Sequence, residues 1–145
     1  MIDDRLPIDI RGRLPVDIRE VPTSVLAYIG DAVYELYVRL YVAQTVSGGS
    51  GELHRRSIGF VSAAAQARAM RLLLPRLAES EAAVFRRVRN HSAGSMPKNA
   101  DPVQYRIATG FEGLIGYLYL TGCQERLDEL MRFVLADEEN DYEPI

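Results

Sequence analysis

The hydrophobic positions between residues 23 and 45 follow the period of an α-helix. Apolar side chains recur there at steps of three and four residues, at Val25, Leu26, Ile29, Val33, Leu36, Tyr37 and Leu40. Because this spacing places them on one face of a helix, it predicts an amphipathic helix over about residues 23–45. A serine- and glycine-rich run at residues 47–51 ends the pattern, since these residues favour turns.

The chain after residue 51 keeps the helical period and adds start and stop signals. Ser62 is a favourable N-cap, and Ser80 with Glu81 starts the next helix. Asp101 is an N-cap followed by a proline at the first helical position, and Gly122 is placed to end that helix. No segment alternates as a half-buried strand does, so we expect an all-α fold of about six helices in one domain. The helices after the first are predicted over about residues 52–58, 62–77, 80–90, 102–121 and 124–136.

The two ends of the chain differ from the helical centre. The sequence Arg-Leu-Pro-Ile-Asp-Ile-Arg from Arg5 is nearly repeated from Arg13, and its prolines disfavour helix for the residues before them. We therefore expect residues 1–21 to form an extended arm, residues 22–137 the domain, and residues 138–145 a frayed acidic tail. The length of 145 residues suits a single domain.

The net charge of −3 hides an uneven distribution along the chain. Residues 1–53 carry 5 basic and 8 acidic side chains, residues 54–106 carry 10 and 3, and residues 107–145 carry 2 and 9. All basic residues except Lys98 are arginine, whose planar guanidinium group suits phosphate. The middle third therefore either binds a polyanion or consists of arginine-rich helices that only face solvent.

Composition and local pattern exclude several classes of protein. Cys123 is the only cysteine, so neither an intrachain disulfide nor a cysteine-based metal cluster can form. The acidic N-terminus lacks the basic and apolar regions of a signal peptide. No segment approaches the roughly 20 apolar residues that cross a bilayer. We therefore expect a soluble cytoplasmic protein with no membrane partner.

Two acidic residues stand out because they lie beside glycine in apolar helical segments. Asp31 follows Gly30 directly, and Glu35 lies one turn later on the same face. Glu112 is surrounded by three glycines, which indicate a close approach between helices. If the two helices pack together, the two carboxylates can face each other and offer the oxygen ligands that suit Mg²⁺ or Mn²⁺. The alternative is that both acids are buried caps or ion-pair partners of arginine.

Two segments resemble the conserved helices of the ribonuclease III family. Residues 26–38, LAYIGDAVYELYV, are similar to its signature helix, and residues 111–119, FEGLIGYLY, are similar to its second acidic helix. The resemblance covers about residues 22–134 and is closer to the Mini-ribonuclease III branch, which has a catalytic domain and no separate double-stranded-RNA-binding domain. Three further segments are similar to that branch, at residues 53–67, 87–90 and 97–101.

The resemblance implies a Mg²⁺-dependent endoribonuclease that cleaves double-stranded RNA, leaving a 5′-phosphate and a 3′-hydroxyl, with Mn²⁺ as an alternative metal. Asp31 and Glu112 fall where the family has its essential aspartate and glutamate, so both are expected to be catalytic and to bind the metal. Glu35 is a weaker candidate for supporting that site. The larger enzymes carry further acids at three positions, which leaves the number of metals open; this chain has Ser24, Ala27 and Thr109 there.

A family member without a separate RNA-binding domain must hold its substrate with the catalytic body. A-form RNA is recognised largely by its shape, through phosphates and 2′-hydroxyl groups. The basic third of the chain supplies the candidates for these contacts. They are His54, Arg55, Arg56, Arg86, Arg87, Arg89, Lys98 and Arg106.

The resemblance also implies a two-fold homodimer that pairs the signature helices, with Tyr28, Ile29 and Val33 as candidates for the seam. It further implies a role in the maturation of 23S (large-subunit) ribosomal RNA. Two other classes of function stay open. One is a non-catalytic RNA-binding or ribosome-associated module on the same fold, and the other is an all-α interaction protein. The presence of both Asp31 and Glu112 favours the enzyme over the module.

Overall fold

The computed structural model describes residues 17–91 and 96–141, with side chains described as far as residue 136. Across these residues the chain is helical and contains no strand, which confirms the all-α prediction. No helix in this part of the chain is long and apolar enough to cross a membrane. Two short 3₁₀ helices lie at Ile18–Glu20 and Leu74–Arg76. The six α-helices are α1 (Thr23–Thr45), α2 (Ser50–Val61), α3 (Ala63–Leu73), α4 (Glu79–Asn90), α5 (Pro102–Leu120) and α6 (Gln124–Asp141).

Three of the predicted start and stop signals act as expected. Ser62 Oγ accepts a hydrogen bond from the Ala65 amide at 3.2 Å and begins α3. Asp101 Oδ1 accepts one from the Val103 amide at 2.9 Å and begins α5. Gly122 has a φ of 76°, the left-handed conformation that commonly follows the last turn of a helix. Local capping chemistry therefore sets these ends.

Other helix bounds differ from the prediction. α2 is longer than the predicted 52–58, and α3 gives way to a 3₁₀ turn after Leu73. α4 begins at Glu79 rather than Ser80, because the Glu81 carboxylate turns back and accepts a hydrogen bond from the Ala78 amide at 2.8 Å. α6 continues to Asp141, beyond the predicted end at residue 136.

A largely buried ion pair joins the start of α4 to α6. Arg126 donates two hydrogen bonds to the Glu81 carboxylate, from Nε at 2.8 Å and from Nη2 at 2.9 Å. Nη2 also donates to the Arg76 carbonyl at 2.9 Å. Hydrogen bonding from Arg126 holds the pKa of Glu81 below its usual range. Glu81 thus starts one helix and anchors another, which its sequence position alone does not reveal.

α5 is the central helix, and α1, α3 and α4 pack around it. The ring of Tyr34 in α1 lies edge-on to Phe111 in α5, with centroids 4.9 Å apart and ring planes at 83°. This is a favoured arrangement for an aromatic pair. The Tyr34 hydroxyl donates to the Phe60 carbonyl near the end of α2 at 3.2 Å. One core therefore connects α1, α2 and α5.

The backbones of α1 and α5 touch at two glycines. A Cβ atom at Gly30 would lie 1.6 Å from the carbonyl oxygen of Glu112. A Cβ atom at Gly116 would lie 2.0 Å from the carbonyl oxygen of Leu26. No side chain fits at either position while the crossing is kept. The prediction that these glycines mark a close approach between helices is confirmed.

The other two glycines of α5 accommodate α4. A Cβ atom at Gly110 would lie 2.7 Å from the ring of Phe85. One at Gly113 would lie 2.6 Å from the methyl groups of Val88. α5 is therefore enclosed closely by α1 and by α4, and these contacts fix its position in the domain.

The end of the predicted arm folds onto the domain. Val21 is buried and packs with Leu26, Ala27 and Val88 in a small second apolar cluster. Val21 thus packs on the helical domain and α6 extends to Asp141, while the domain boundaries at residues 22 and 137 stay a prediction. The arginine-leucine-proline repeat, at residues 1–16, and residues 142–145 lie outside the described residues.

Candidate active site

Asp31 and Glu112 meet at the crossing of α1 and α5. Gly30, directly before Asp31, packs against the backbone of Glu112, so the same contact that requires glycine brings the two acids together. A hydrogen bond joins their carboxyl groups. Asp31 is exposed, whereas Glu112 is partly buried. The structure therefore places the two predicted acids face to face, with Glu112 the deeper of the two.

The Glu112 carboxyl group is held largely in its neutral form. Burial, the negative charge of Asp31 and the hydrogen bond between them raise the pKa of Glu112 to about 8, with burial the largest cause. A hydrogen bond from Gln66 acts in the opposite direction. Because two neighbouring carboxylates repel each other when both are ionised, the metal-free pair retains a proton near neutral pH.

The acid pair lines a cavity of about 420 Å³ between α1, the end of α4 and α5. Ser24, Ala27 and Thr109, none of which carries a charge, form part of its wall. Among the residues that the structure describes, no cluster of three or more His, Cys, Asp or Glu side chains is placed to hold a metal. The other lining residues are Thr23, Tyr28, Val88, His91 and Tyr105.

The donor set of this cavity fits Mg²⁺. This cation prefers oxygen ligands and usually binds through one or two carboxylates, keeping several waters or substrate phosphate oxygens. Asp31 and Glu112 supply the two carboxylates. The proton they share is the species that a cation would displace, because metal ligands bind in their deprotonated form. Mn²⁺ takes the same kind of ligands.

Glu35 lies apart from the acid pair. Its carboxylate pairs with Arg39 in the same helix, with Nη2 and Oε2 3.3 Å apart. Glu35 does not line the cavity that holds Asp31 and Glu112. We therefore leave Glu35 out of the proposed metal site.

Two residues that the sequence did not single out lie at this site. Gln66 of α3 is buried and donates a hydrogen bond to Glu112. His91 follows the last residue of α4 and lines the cavity, and its Nδ1 lies 2.7 Å from the Arg87 carbonyl oxygen. Gln66 had a weak signal, as a single amide within an alanine-rich helix. His91 had none, because it stands at the start of an irregular segment.

The predicted RNA-binding residues lie on several elements. Two of them already have carboxylate partners, Arg55 with Glu52 at 2.5 Å and Arg86 with Glu79 at 2.6 Å. These arginines must exchange a carboxylate for a phosphate when RNA binds. The candidates are distributed as His54, Arg55 and Arg56 on α2, Arg86, Arg87 and Arg89 on α4, Lys98 before α5, and Arg106 on α5.

Arg89 and Arg106 come together across the end of α4 and the start of α5. They line a groove of about 400 Å³ together with Asn90, Val103 and Ile107. Arg89 also lies over the ring of Phe85, 5.3 Å from its centroid. The groove is therefore positively charged at the two guanidinium groups and apolar along the arginine stems and the exposed side chain of Val103.

The chain is similar to known proteins over most of its length. A family model described as the ribonuclease III domain matches residues 24–122. A Mini-ribonuclease 3 of Clostridium tetani is 44% identical over 82% of this chain and 80% of its own length. A Mini-ribonuclease 3 of Symbiobacterium thermophilum is 45% identical over 77% of this chain and 86% of its own length. That of Enterococcus faecalis is 42% identical over 82% of this chain and 92% of its own length.

The fold also has a counterpart among solved structures. A crystal structure of a Fusobacterium nucleatum protein superposes with a TM-score of 0.74 at 27% sequence identity. The superposition covers 84% of this chain and 98% of that one. Because the domain model and the curated relatives both extend over most of the sequence, the chain belongs to the ribonuclease III family of endoribonucleases, in its Mini-ribonuclease III branch.

Proposed function

We propose that this endoribonuclease hydrolyses phosphodiester bonds of double-stranded RNA and depends on Mg²⁺, with Mn²⁺ as an alternative. The observation that carries the proposal is the joined carboxyl pair of Asp31 and Glu112 in an open cavity of a ribonuclease III fold. The products would be a 5′-phosphate and a 3′-hydroxyl, as the resemblance of the sequence implies.

Asp31 and Glu112 are the residues that would hold the cation. When bound, a divalent cation supplies the Lewis acidity that activates water and stabilises the leaving oxygen. Glu112 would give up its proton to bind the cation, because metal ligands bind in their deprotonated form. The contact of Gly30 with the Glu112 backbone keeps the two acids together before metal arrives. The reaction requires neither a histidine nor a cysteine.

The basic third of the chain would hold the RNA duplex through its phosphates. The groove formed by Arg89 and Arg106 lies on the same two helices, α4 and α5, that border the acid cavity. Exposed Lys98 precedes α5, and exposed His54 lies on α2. Arg55 and Arg86 would each exchange an ion pair with a glutamate for a phosphate contact.

A second copy of the chain is the proposed partner at α1. Tyr28, Leu36 and Leu40 on this helix are 78%, 59% and 51% exposed, which is unusual for large apolar side chains along one helix. Half-buried Ile29 and Val33 line a shallow apolar cavity of about 520 Å³ beside them. A two-fold dimer would cover this face and provide one acid pair for each RNA strand.

We further propose that the substrate is a precursor of 23S ribosomal RNA and that the enzyme acts in the cytoplasm. The similarity to the Mini-ribonuclease III branch supports this assignment. Sequencing of ribosomal RNA ends in cells that lack the protein tests it. Extended ends on the large-subunit RNA are the expected result, and mature ends would reject the assignment.

The enzymatic proposal is tested with short duplex RNA, Mg²⁺ and three variants. Asp31→Asn and Glu112→Gln each remove one carboxylate and are expected to lower the cleavage rate by more than the roughly 10–100-fold that loss of a group supporting a metal ligand costs. Glu125→Gln removes an exposed acid of α6 and serves as the matched control with an unchanged rate. Helical circular dichroism shows that each variant is folded.

The outcomes separate the candidate functions. Cleavage that requires Mg²⁺, Asp31 and Glu112 supports the enzyme. Duplex binding without cleavage by the unmodified chain supports the RNA-binding module instead. Equal cleavage by Glu112→Gln and the unmodified chain would remove Glu112 from the metal site.

A further inference from the structure

Gln66 is one of only two polar residues that are fully buried in the described part of the chain. Its side chain is 3% exposed and lies in α3 among Ala65, Ala67, Ala69 and Met70, which belong to the buried face of that helix. A buried amide without hydrogen-bond partners is destabilising by several kcal/mol in an apolar environment. Its partners therefore explain why a polar residue is tolerated there.

The two hydrogens of the Gln66 amide have two acceptors. Nε2 donates to the Val61 carbonyl oxygen at 3.2 Å. Gln66 also donates to the carboxyl group of Glu112. Because the Val61 carbonyl oxygen can only accept, the NH₂ end of the side chain faces it. The orientation of the amide is thus fixed by its surroundings.

This arrangement ties Glu112 to a second part of the fold. Val61 is the last residue of α2, and the N-cap Ser62 orders the turn between α2 and α3. The Glu112 carboxyl group consequently has one hydrogen-bond partner from α1, Asp31, and one from α3, Gln66. Its position depends on neighbouring helices as well as on α5.

We propose that Gln66 is a positioning residue that holds the Glu112 carboxylate toward Asp31, so that the pair is arranged for a divalent cation before that cation binds. The inference rests on the proposed function, because it takes Glu112 to be a metal ligand. Groups that hydrogen-bond to a metal-binding carboxylate restrict its rotation and commonly change metal affinity or activity 10–100-fold when removed. Gln66 does not itself contact metal or RNA.

The test uses Gln66→Met, which keeps the length of the side chain and removes both donors. Binding of Mn²⁺ to the RNA-free protein, measured by electron paramagnetic resonance, is expected to weaken about 10–100-fold. In steady-state cleavage the variant should have a lower kcat at limiting Mg²⁺, an unchanged KM for RNA, and partial recovery in excess Mg²⁺. Gln44→Met, at an exposed site of α1, is the matched control and should behave as the unmodified chain does.

A second measurement does not depend on the variant folding. In the unmodified protein, the side-chain amide resonances of Gln66 should shift on Mg²⁺ titration, while those of Gln44 stay in place. Unshifted Gln66 resonances in a protein that binds Mg²⁺, or a folded Gln66→Met variant with unchanged Mn²⁺ affinity, would overturn the positioning role. If the unmodified chain binds no Mn²⁺, or if Asp31→Asn cleaves RNA normally, the proposed function fails instead.

Discussion

Glu112 has surroundings that favour its neutral form, which makes the stability of the metal-free protein depend on pH. Its pKa is about 8 in the folded chain and 4.5 ordinarily. Between these values the folded state holds a proton that the unfolded state releases, so the unfolding free energy falls as pH rises. We expect a loss of about 2 kcal/mol from pH 5 to pH 8.5, reduced from the full linkage value by partial exposure to water. Chemical denaturation in the presence of a chelator measures it.

Glu112→Gln provides the decisive comparison for this pH dependence. Glutamine resembles the protonated carboxyl group, so the unfolding free energy of the variant should not fall as pH rises. At pH 8.5 the variant should be more stable than the unmodified chain. Glu125→Gln, in the exposed part of α6, should keep the decline. Mg²⁺ should stabilise the unmodified protein more at pH 8.5 than at pH 5.5, because fewer protons then compete with it. A Glu112→Gln variant with the original slope would contradict the assigned cause.

At the scale of helices, the crossing of α1 and α5 determines both packing and the acid pair. Gly30→Ala places a Cβ atom 1.6 Å from the Glu112 carbonyl oxygen, a backbone atom that cannot move independently. The helices must separate, and we expect a loss of about 3 kcal/mol or more in unfolding free energy, at the upper end for overpacking. Because Asp31 moves with α1, Mn²⁺ affinity should also fall. Thermal unfolding and metal titration measure the two effects.

The chain offers a matched control for that substitution. Gly51 also lies within a helix, α2, but a Cβ atom there meets nothing within 4 Å. Gly51 lies in the first turn, where helix propensity counts for less than in the interior, so Gly51→Ala should leave stability unchanged or raise it by less than about 1 kcal/mol. A Gly30→Ala variant that matches Gly51→Ala in stability would show that the two backbones do not touch in solution.

The helix ends show which structural features the local sequence can predict. Asp101 and Ser62 begin their helices through their own side chains, so their positions were predictable. The start of α4 was predicted to within one residue, but the second role of Glu81 was not, because its carboxylate caps Ala78 and also binds Arg126 of α6. A residue engaged by a distant helix cannot be recognised from its neighbours in sequence.

At the scale of the whole molecule, the exposed apolar face of α1 predicts self-association. Leu36→Glu combined with Leu40→Glu places charges on this face, and burying them in a dimer would be costly. The unmodified chain is expected to sediment as a dimer and the variant as a monomer of 16.2 kDa. Ile58→Glu on α2, at a site that is 50% exposed, is the control and should leave the dimer intact. Monomeric sedimentation of the unmodified chain would contradict this prediction.

RNA binding depends on basic residues from several helices. The dependence of the binding constant on salt concentration reports how many phosphates they contact. Replacing Arg86, Arg87 and Arg89 together with alanine should weaken duplex binding and flatten the dependence of log K on log salt concentration. The slope should fall by about 1 for each arginine that contacts a phosphate. Binding is measured with the Asp31→Asn variant, so that cleavage does not interfere.

A second triple variant controls for the loss of positive charge in general. It replaces three arginines of α3 and α6 and is expected to keep the original salt slope. If both triple variants reduce the slope equally, the arginines of α4 have no special part in RNA binding. The three control positions are Arg68, Arg71 and Arg132.

The sequence by itself determined the helical class, the capped ends of α3 and α5, and the identity of the acids Asp31 and Glu112. These features are local, since helical period, capping and a charge within an apolar run are all visible within a few residues. The glycines further indicated that two helices approach closely. They did not say which helix each glycine faces, and only the structure assigns Gly116 to α1 and Gly113 to α4.

Tertiary structure decided what surrounds those acids. It buried Glu112 more deeply than Asp31, brought Gln66 from α3 to the same carboxyl group, and placed Glu35 in an ion pair with Arg39 instead. The environment of a carboxyl group is the sum of contacts from several helices, and its pKa and orientation follow from all of them together. The sequence alone therefore identifies which acids form the site, whereas the packing of the surrounding helices determines their protonation and orientation.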